Sequence, residues 1–236
     1  MLAARSWCSI STATGYFLGG LAESVTAEGM GQHGVVKRAT AIGHLAEMAE
    51  VATEALRFRD TQIGWPLEEM WVGGELLGPA DMLEAGLVVL VLDVPAEELP
   101  WLARHPAGEW VGDQLRLGKR PMLWSYRPVD RPVWGPEHRR LVRFWTARDG
   151  TDHVVIDALR SLRFDDLAVI EPTDQELTVQ MPAELERSRR HLRTIVDDYW
   201  DPAWRRHHKG PDESPEDHLW RAATAVADIL DVLDRQ

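Results

Sequence analysis

Three stretches of this chain carry residue types that can act on a ligand. The first is Trp71-Val72-Gly73-Gly74, followed by Asp81, Glu84 and the apolar run Leu87 to Leu92 that closes on Asp93. Alternate residues of a strand face the same side, so two carboxylates spaced two apart at the start of a strand can jointly hold the magnesium ions that bind a triphosphate. Here Glu84-Ala85-Gly86 occupies that spot and supplies one carboxylate, with Asp81 before it and Asp93 at the far end of the run. These three acids are weak catalytic candidates, because phosphoryl chemistry on two ions needs more ligands than one side chain offers.

The second stretch runs from Gln114 to Arg148. It holds nine basic residues against the two acids Asp130 and Glu137, a segment charge of +7 in a chain whose net charge is -12, so the remainder carries -19. Arg116, Arg120, Arg127 and Arg143 interleave with Trp124 and Trp134, and such a set can clamp phosphates while its rings stack on bases. Together with Gly73 and Gly74 these six are the ligand-binding candidates. The plainer reading is that the arginines pair with the acidic remainder and the tryptophans fill the core, and the charge balance favours it.

Histidines form the third set. His207-His208 with Asp201 and His218 suggests a metal, but Arg205, Arg206 and Lys209 beside them repel a cation, so no metal site is expected. Arg38 and His44 match a loose Arg-x5-His spacing at the level of chance. His105, His138 and His153 have no serine or cysteine placed by a motif, and Gly73 to Gly78 lacks the lysine of a phosphate-binding loop. A single cysteine, Cys8, gives neither an intramolecular disulfide nor a thiolate metal site. No apolar run reaches membrane-spanning length and no signal peptide is well formed, so a cytoplasmic protein with no membrane role is expected; the acidic balance makes nucleic acid an unfavourable partner.

The elements that must hold these residues follow from periodicity. Residues 1–35 are rich in Gly, Ser, Thr and Ala and read as a disordered or loosely ordered arm, or as codons upstream of a start near Val35 or Val36. Ile42, Leu45, Ala49, Ala52 and Leu56 recur at steps of three and four, which predicts a helix from Val36 to Phe58. Met70 to Val72 reads as a strand, and Leu87 to Leu92, apolar on both faces, as a central buried one. Seven of the 14 prolines lie between Pro95 and Pro136, so residues 95–136 read as a largely irregular, Trp/Pro-rich excursion.

A strand over Arg140 to Thr146, a turn at Asp149-Gly150, a helix over Val154 to Leu162 and a short strand over Leu167 to Ile170 complete an α/β domain over 36–172. Residues 173–236 read as a helical region packed on it. Thr173-Asp174-Gln175-Glu176 opens it as a capping box, Pro182 breaks or restarts the helix, and Leu185, Leu192, Ile195 or Val196, and Tyr199 line its inner face with Arg187, Arg189, Arg190 and Arg193 mostly outside. Ser214 caps a last helix with Pro215 at its first position and a buried stripe of Leu219, Ala223, Val226, Leu230 and Leu233. The fold class is therefore α/β (α+β), a small mixed sheet of about four strands with an N-terminal helix and a C-terminal helical pair.

Residues 70–93 resemble the core of the minimal nucleotidyltransferases, in which a strand ends in Gly-Ser, a short helix follows and the next strand opens with Asp-x-Asp. The resemblance implies a nucleotidyltransferase-like sheet, with magnesium and nucleotide as its cofactor and substrate if the activity is retained. This chain departs from the pattern at Gly74, which replaces the serine, and at Glu84-Ala85-Gly86, which replaces the acid pair. The order of elements from 36 to 236, ending in Leu219-Trp220-Arg221-Ala222, also resembles an uncharacterised actinobacterial family of unknown function. The resulting expectation is a catalytically degenerate nucleotidyltransferase-like domain that binds a nucleotide or other small anion, or a protein partner. Its alternatives are a protein-interaction module (an antitoxin or partner subunit, or a homodimer) with no nucleotide role, and an active transferase working through Glu84.

Overall fold

The structure is a computed structural model and describes residues 35–61, 64–84, 86–210 and 214–235. Nearly all of the expected N-terminal arm, Cys8 included, lies outside them. Strand β1 (Val36–Lys37) leads directly into helix α1 (Arg38–Ala55), whose buried residues Ala41, Ile42, Leu45, Met48, Ala49 and Ala52 follow the helical period. Leu56 to Phe58 tighten into a 3-10 turn. Strand β2 (Leu67–Gly74) is longer than its sequence signal. After it come a 3-10 turn over Glu75–Leu77, strand β3 (Met82–Leu83) and strand β4 (Gly86–Leu92), buried along its whole length.

The proline-rich excursion is more regular than expected. It contains helix α2 (Pro106–Gln114) and strand β5 (Met122–Pro128). Three of its prolines sit at element ends: Pro106 opens α2, Pro121 precedes β5 and Pro128 closes it, positions where a missing N–H costs nothing. His105 caps α2, its Nδ1 accepting from the Ala107 N–H at 3.2 Å. Strand β6 (Leu141–Thr146), strand β7 (Gly150–Thr151) and helix α3 (His153–Arg160) follow. The expected strand at Leu167 to Ile170 shrinks to one bridge, in which Ile170 exchanges hydrogen bonds with Leu141.

Five strands form one mixed sheet in the order β5-β4-β2-β6-β7, with β4 and β5 parallel and the other neighbours antiparallel. A separate antiparallel pair joins β1 to β3. The β4-α2-β5 crossover is what allows a parallel pair here. One sheet face, carrying Met70, Val72, Val88, Leu90, Val142 and Phe144, packs with α1 and α3 into the main core. On the opposite face Leu87, Val89, Val91 and Leu141 meet Val133 and Trp134 of the excursion. Gly73 permits the close fit at this point, since a Cβ there would lie 2.7 Å from a Leu141 methyl and 2.8 Å from the Arg140 carbonyl.

Helix α4 (Asp174–Asp198), the short α5 (Pro202–His207) and α6 (Pro215–Asp234) form the tail. Both expected starts are present, with capping boxes at Thr173 and Ser214. Pro182 does not break α4. Leu177 and Met181 before it and Leu185 after it pack with Ala225, Ile229 and Val232, so tertiary anchoring on both sides carries the helix through the lost hydrogen bond. The buried line of α6 is rotated one position from the expected stripe, to Ala222, Ala225, Ile229 and Val232, while Ala223 is exposed. Trp101 completes this second core from the excursion, its ring lying over Gly135 so closely that any Cβ there would fall 2.2 Å from it.

Candidate functional site

The turn that follows β2 is where the nucleotidyltransferase-like motif would hold its ligand. Gly73 and Gly74 end β2, and Gly74 takes a left-handed φ of 64° to start the turn. The turn is filled from within by Arg38, the first residue of α1. Its Nε and Nη1 donate at 2.8 Å to the carbonyls of Ala80 and Leu76, and its Nη2 donates to Glu75 and Gly78. One guanidinium thus takes up four carbonyls that a bound cation would otherwise meet. Asp81 and Glu84 are exposed, and the Glu84 N–H is taken by the Glu75 carboxylate at 2.6 Å. Asp93 stands beyond the other end of β4, about 20 Å away at 3.3 Å per residue. The three acids therefore do not meet, and among the described residues no group of three His, Cys, Asp or Glu side chains is arranged to hold a metal.

The arginines of the basic segment are dispersed, and most are engaged. Arg120 is buried against α1, donating to the Glu47 carboxylate at 2.7 Å, to the Leu115 carbonyl and to His44. Arg143 pairs with Glu69 at 2.8 Å over the Trp71 ring, and Arg140 pairs with Glu171. Arg116 is exposed in a left-handed turn with φ of 55°. Trp124 packs on the main core, and Trp134 lies between the other two cores. Apart from the adjacent Gly73 and Gly74, the sequence candidates thus lie among different partners in the fold. Two half-open hollows lie apart from them except for Arg143, one by Arg139, Asp174 and Arg235, the other along β6 and β7.

Arg127 leads to a cluster that sequence reasoning missed. It lies at the carboxyl end of β5, 2% exposed, with Nε bonded to the Pro132 carbonyl and its two Nη groups 3.3 and 3.5 Å from the oxygens of Glu184 on α4. Glu184, 3% exposed, also accepts from Arg187 at 2.7 Å and from the Trp101 backbone N–H at 2.9 Å. Burial pushes its carboxyl up, but Arg127 and Arg187 outweigh that and hold it below the ordinary glutamate range. Arg187 was expected on the solvent side of α4 and is buried instead, drawn in by this carboxylate. Arg127 also lies over the Trp101 ring at 5.4 Å.

Trp101 connects two further titratable groups. Its indole N–H donates to Asp228 on α6 at 3.1 Å, and its ring meets His138 edge-on at 5.1 Å. Burial raises Asp228 to about 6. Burial and the Arg127 charge depress His138 to about 4, so the imidazole is neutral at pH 7. Ser125, Arg187 and Ser188 each leave one buried polar side-chain atom with no hydrogen bond. This arrangement joins the parallel-strand edge to the tail by charge. Its signal in the sequence was Glu184 itself, an acid on the same helical face as Leu177, Met181, Leu185 and Ser188, where a charge demands a partner.

The expected His207, His208 and His218 group lies at the far end of the tail as an aromatic stack. His208 stacks on Trp204 at 4.2 Å and meets His218 at 4.5 Å, while its Nδ1 faces the Trp204 carbonyl at 2.9 Å. Next to it Tyr199 and Arg205 both donate to Glu216, and Trp200 projects with 80% of its surface exposed. Trp220 on α6 is 52% exposed.

The model of a domain of unknown function (DUF7711) matches residues 36–235, and the chain belongs to that family. No curated protein and no solved structure matches it. Among the described residues no helix is long and apolar enough to cross a membrane.

Proposed function

We propose that this domain works as a protein-binding module, presenting the indoles at the end of its helical tail to a partner protein, and that it does not catalyse phosphoryl transfer. One observation carries the reading: Trp200 is 80% exposed and Trp220 52% exposed, whereas the groups of the glycine turn and the buried cluster are held by the fold itself. Large indoles left in water cost hydration free energy, and on protein surfaces they are the side chains that anchor interfaces. This favours the interaction-module alternative over a degenerate transferase that binds a nucleotide, because Arg120, Arg127 and Arg143 all have acidic partners in the chain.

Affinity isolation of the tagged full chain from its native cells tests the reading. One partner should be retained at a fixed ratio, lost from the Trp200→Ala/Trp220→Ala variant and kept by Trp124→Phe. Equal retention by all three proteins rejects the tail as the docking end. Titration calorimetry with ATP or GTP and magnesium at millimolar concentration should give no binding heat; a saturable isotherm abolished by Glu84→Ala would restore the transferase reading.

A further inference from the structure

We propose that the hollow between the start of α4, the end of α6 and Arg139 is a binding site for a small zwitterion of the α-amino-acid class. Arg139 and Arg235 would hold its carboxylate and Asp174 its ammonium group. The site does not involve the indoles: at 1.5 Å per residue Trp200 lies some 35 Å away past the other end of α4, and Trp220 about 22 Å away along α6.

The hollow measures about 370 Å³, within the range of small-molecule sites, and its walls come from three parts of the chain. Asp174 and Gln175 belong to the first turn of α4, Arg235 ends α6, and Arg139 leads out of the excursion towards β6. Leu177 and Val232, both members of the second core, form its apolar floor. The place exists because α4 and α6 run antiparallel: Tyr199 and Arg205 tie the end of α4 to Glu216 at the start of α6, so the start of α4 meets the end of α6.

Three formal charges face this one space, and among the described residues none of them is in an ion pair. Arg139 spends its Nε on the Pro136 carbonyl at 3.0 Å, and Arg235 spends its Nε on the Asp231 carbonyl at 2.9 Å. Each guanidinium therefore keeps its two Nη groups for something else, and among the described residues neither has an acidic partner. Asp174 accepts the Thr178 hydroxyl through its backbone carbonyl, and among the described residues its carboxylate has no ion-pair partner. Several other arginines of the same basic segment are paired, Arg120 with Glu47, Arg143 with Glu69 and Arg140 with Glu171, whereas these two face a shared hollow together with a carboxylate.

The chemistry of the walls selects the ligand. A guanidinium offers a planar fork of N–H donors that matches a carboxylate with two parallel bonds, and two such forks exceed the one negative charge of Asp174. A dianion such as phosphate would meet Asp174 as a repulsive neighbour, whereas a ligand with a cationic amine beside its carboxylate satisfies both signs at once. Gln175 adds a neutral amide to the same wall.

Amide NMR spectra of the labelled full chain, titrated with each common amino acid, are the test, with acetate and inorganic phosphate as comparison probes. At least one amino acid should shift the Gln175, Val232 and Arg235 amides saturably with a Kd of about 1 mM or below, more tightly than acetate or phosphate. Arg235→Gln should weaken that binding about 10-fold or more. Asp174→Asn should weaken the amino acid by a similar factor while acetate binds no worse, a split that a merely structural role of Asp174 would not produce. No saturable shift with any amino acid up to about 10 mM, tighter binding of phosphate than of every amino acid, or shifts unchanged by Arg235→Gln would each overturn the proposal.

Discussion

His138 and Asp228 lie on two sides of the Trp101 indole and respond to acid in opposite senses. His138 is depressed to about 4 from 6.5, so between those values the unfolded chain takes a proton that the folded chain refuses, and stability falls as pH drops. Asp228 is raised to about 6 from 3.8, so below 6 the folded chain keeps a proton that the unfolded chain has lost, and stability rises as pH drops. Between pH 7 and pH 5 the two nearly offset. His138→Gln removes the first, and its unfolding free energy should gain on the order of 1 kcal/mol relative to the wild type on acidification from 7 to 5. Denaturant unfolding at the two pH values reads this difference, and parallel pH profiles for the two proteins would reject it. Neither shift was legible in the sequence, because both come from burial against Trp101, a residue that lies 127 positions from Asp228. The fate of Arg120 and Arg143 was more legible: an excess of acid elsewhere in the chain meant that partners were available, and Glu47 and Glu69 supply them.

Regular elements followed the sequence where one strong local signal dominated. The period of three and four in α1, the apolar run of β4, the capping box at Thr173 and the N-cap at Ser214 each correspond to an observed feature. The signal misled where proline was read by density instead of position. Seven prolines hid α2 and β5, three of them (Pro106, Pro121 and Pro128) by bounding these elements, and Pro182 suggested a break that packing against α6 overrides. Pro182 still costs α4 a hydrogen bond in its interior, at an exposed position. Pro182→Ala should therefore stabilise the protein by about 1–3 kcal/mol, seen as a higher denaturant midpoint with an unchanged slope. A lower midpoint would show that the proline sets a bend on which the packing of the pair depends. Charge placement on α4 was half legible: Arg189, Arg190 and Arg193 are outside as expected, while Arg187 turns inward to Glu184, a partner three residues away that also answers to Arg127.

The tail and the sheet are held together at few points, chiefly Trp101 and the Glu184 cluster. Trp101→Ala empties the centre of the second core and removes the Asp228 bond, and loss of a buried aromatic of this size costs about 3–5 kcal/mol. Hydrogen exchange should then show α4 and α6 amides opening well before those of β2 and β4, because the main core does not include Trp101. Uniform loss of protection would mean that tail and sheet unfold as one unit. The mixed sheet packed on helices was anticipated by the alternation of patterns, but how the tail attaches was not, since it depends on contacts 57 and 83 residues apart. Those separations bear on how the chain is made. Arg127 leaves the ribosome 57 residues ahead of the carboxylate that will face it, an interval of several seconds at about 5–20 residues per second. Throughout it the nascent polypeptide carries a guanidinium without its carboxylate, so the sheet can form ahead of the tail while the charge contact that joins them waits for α4.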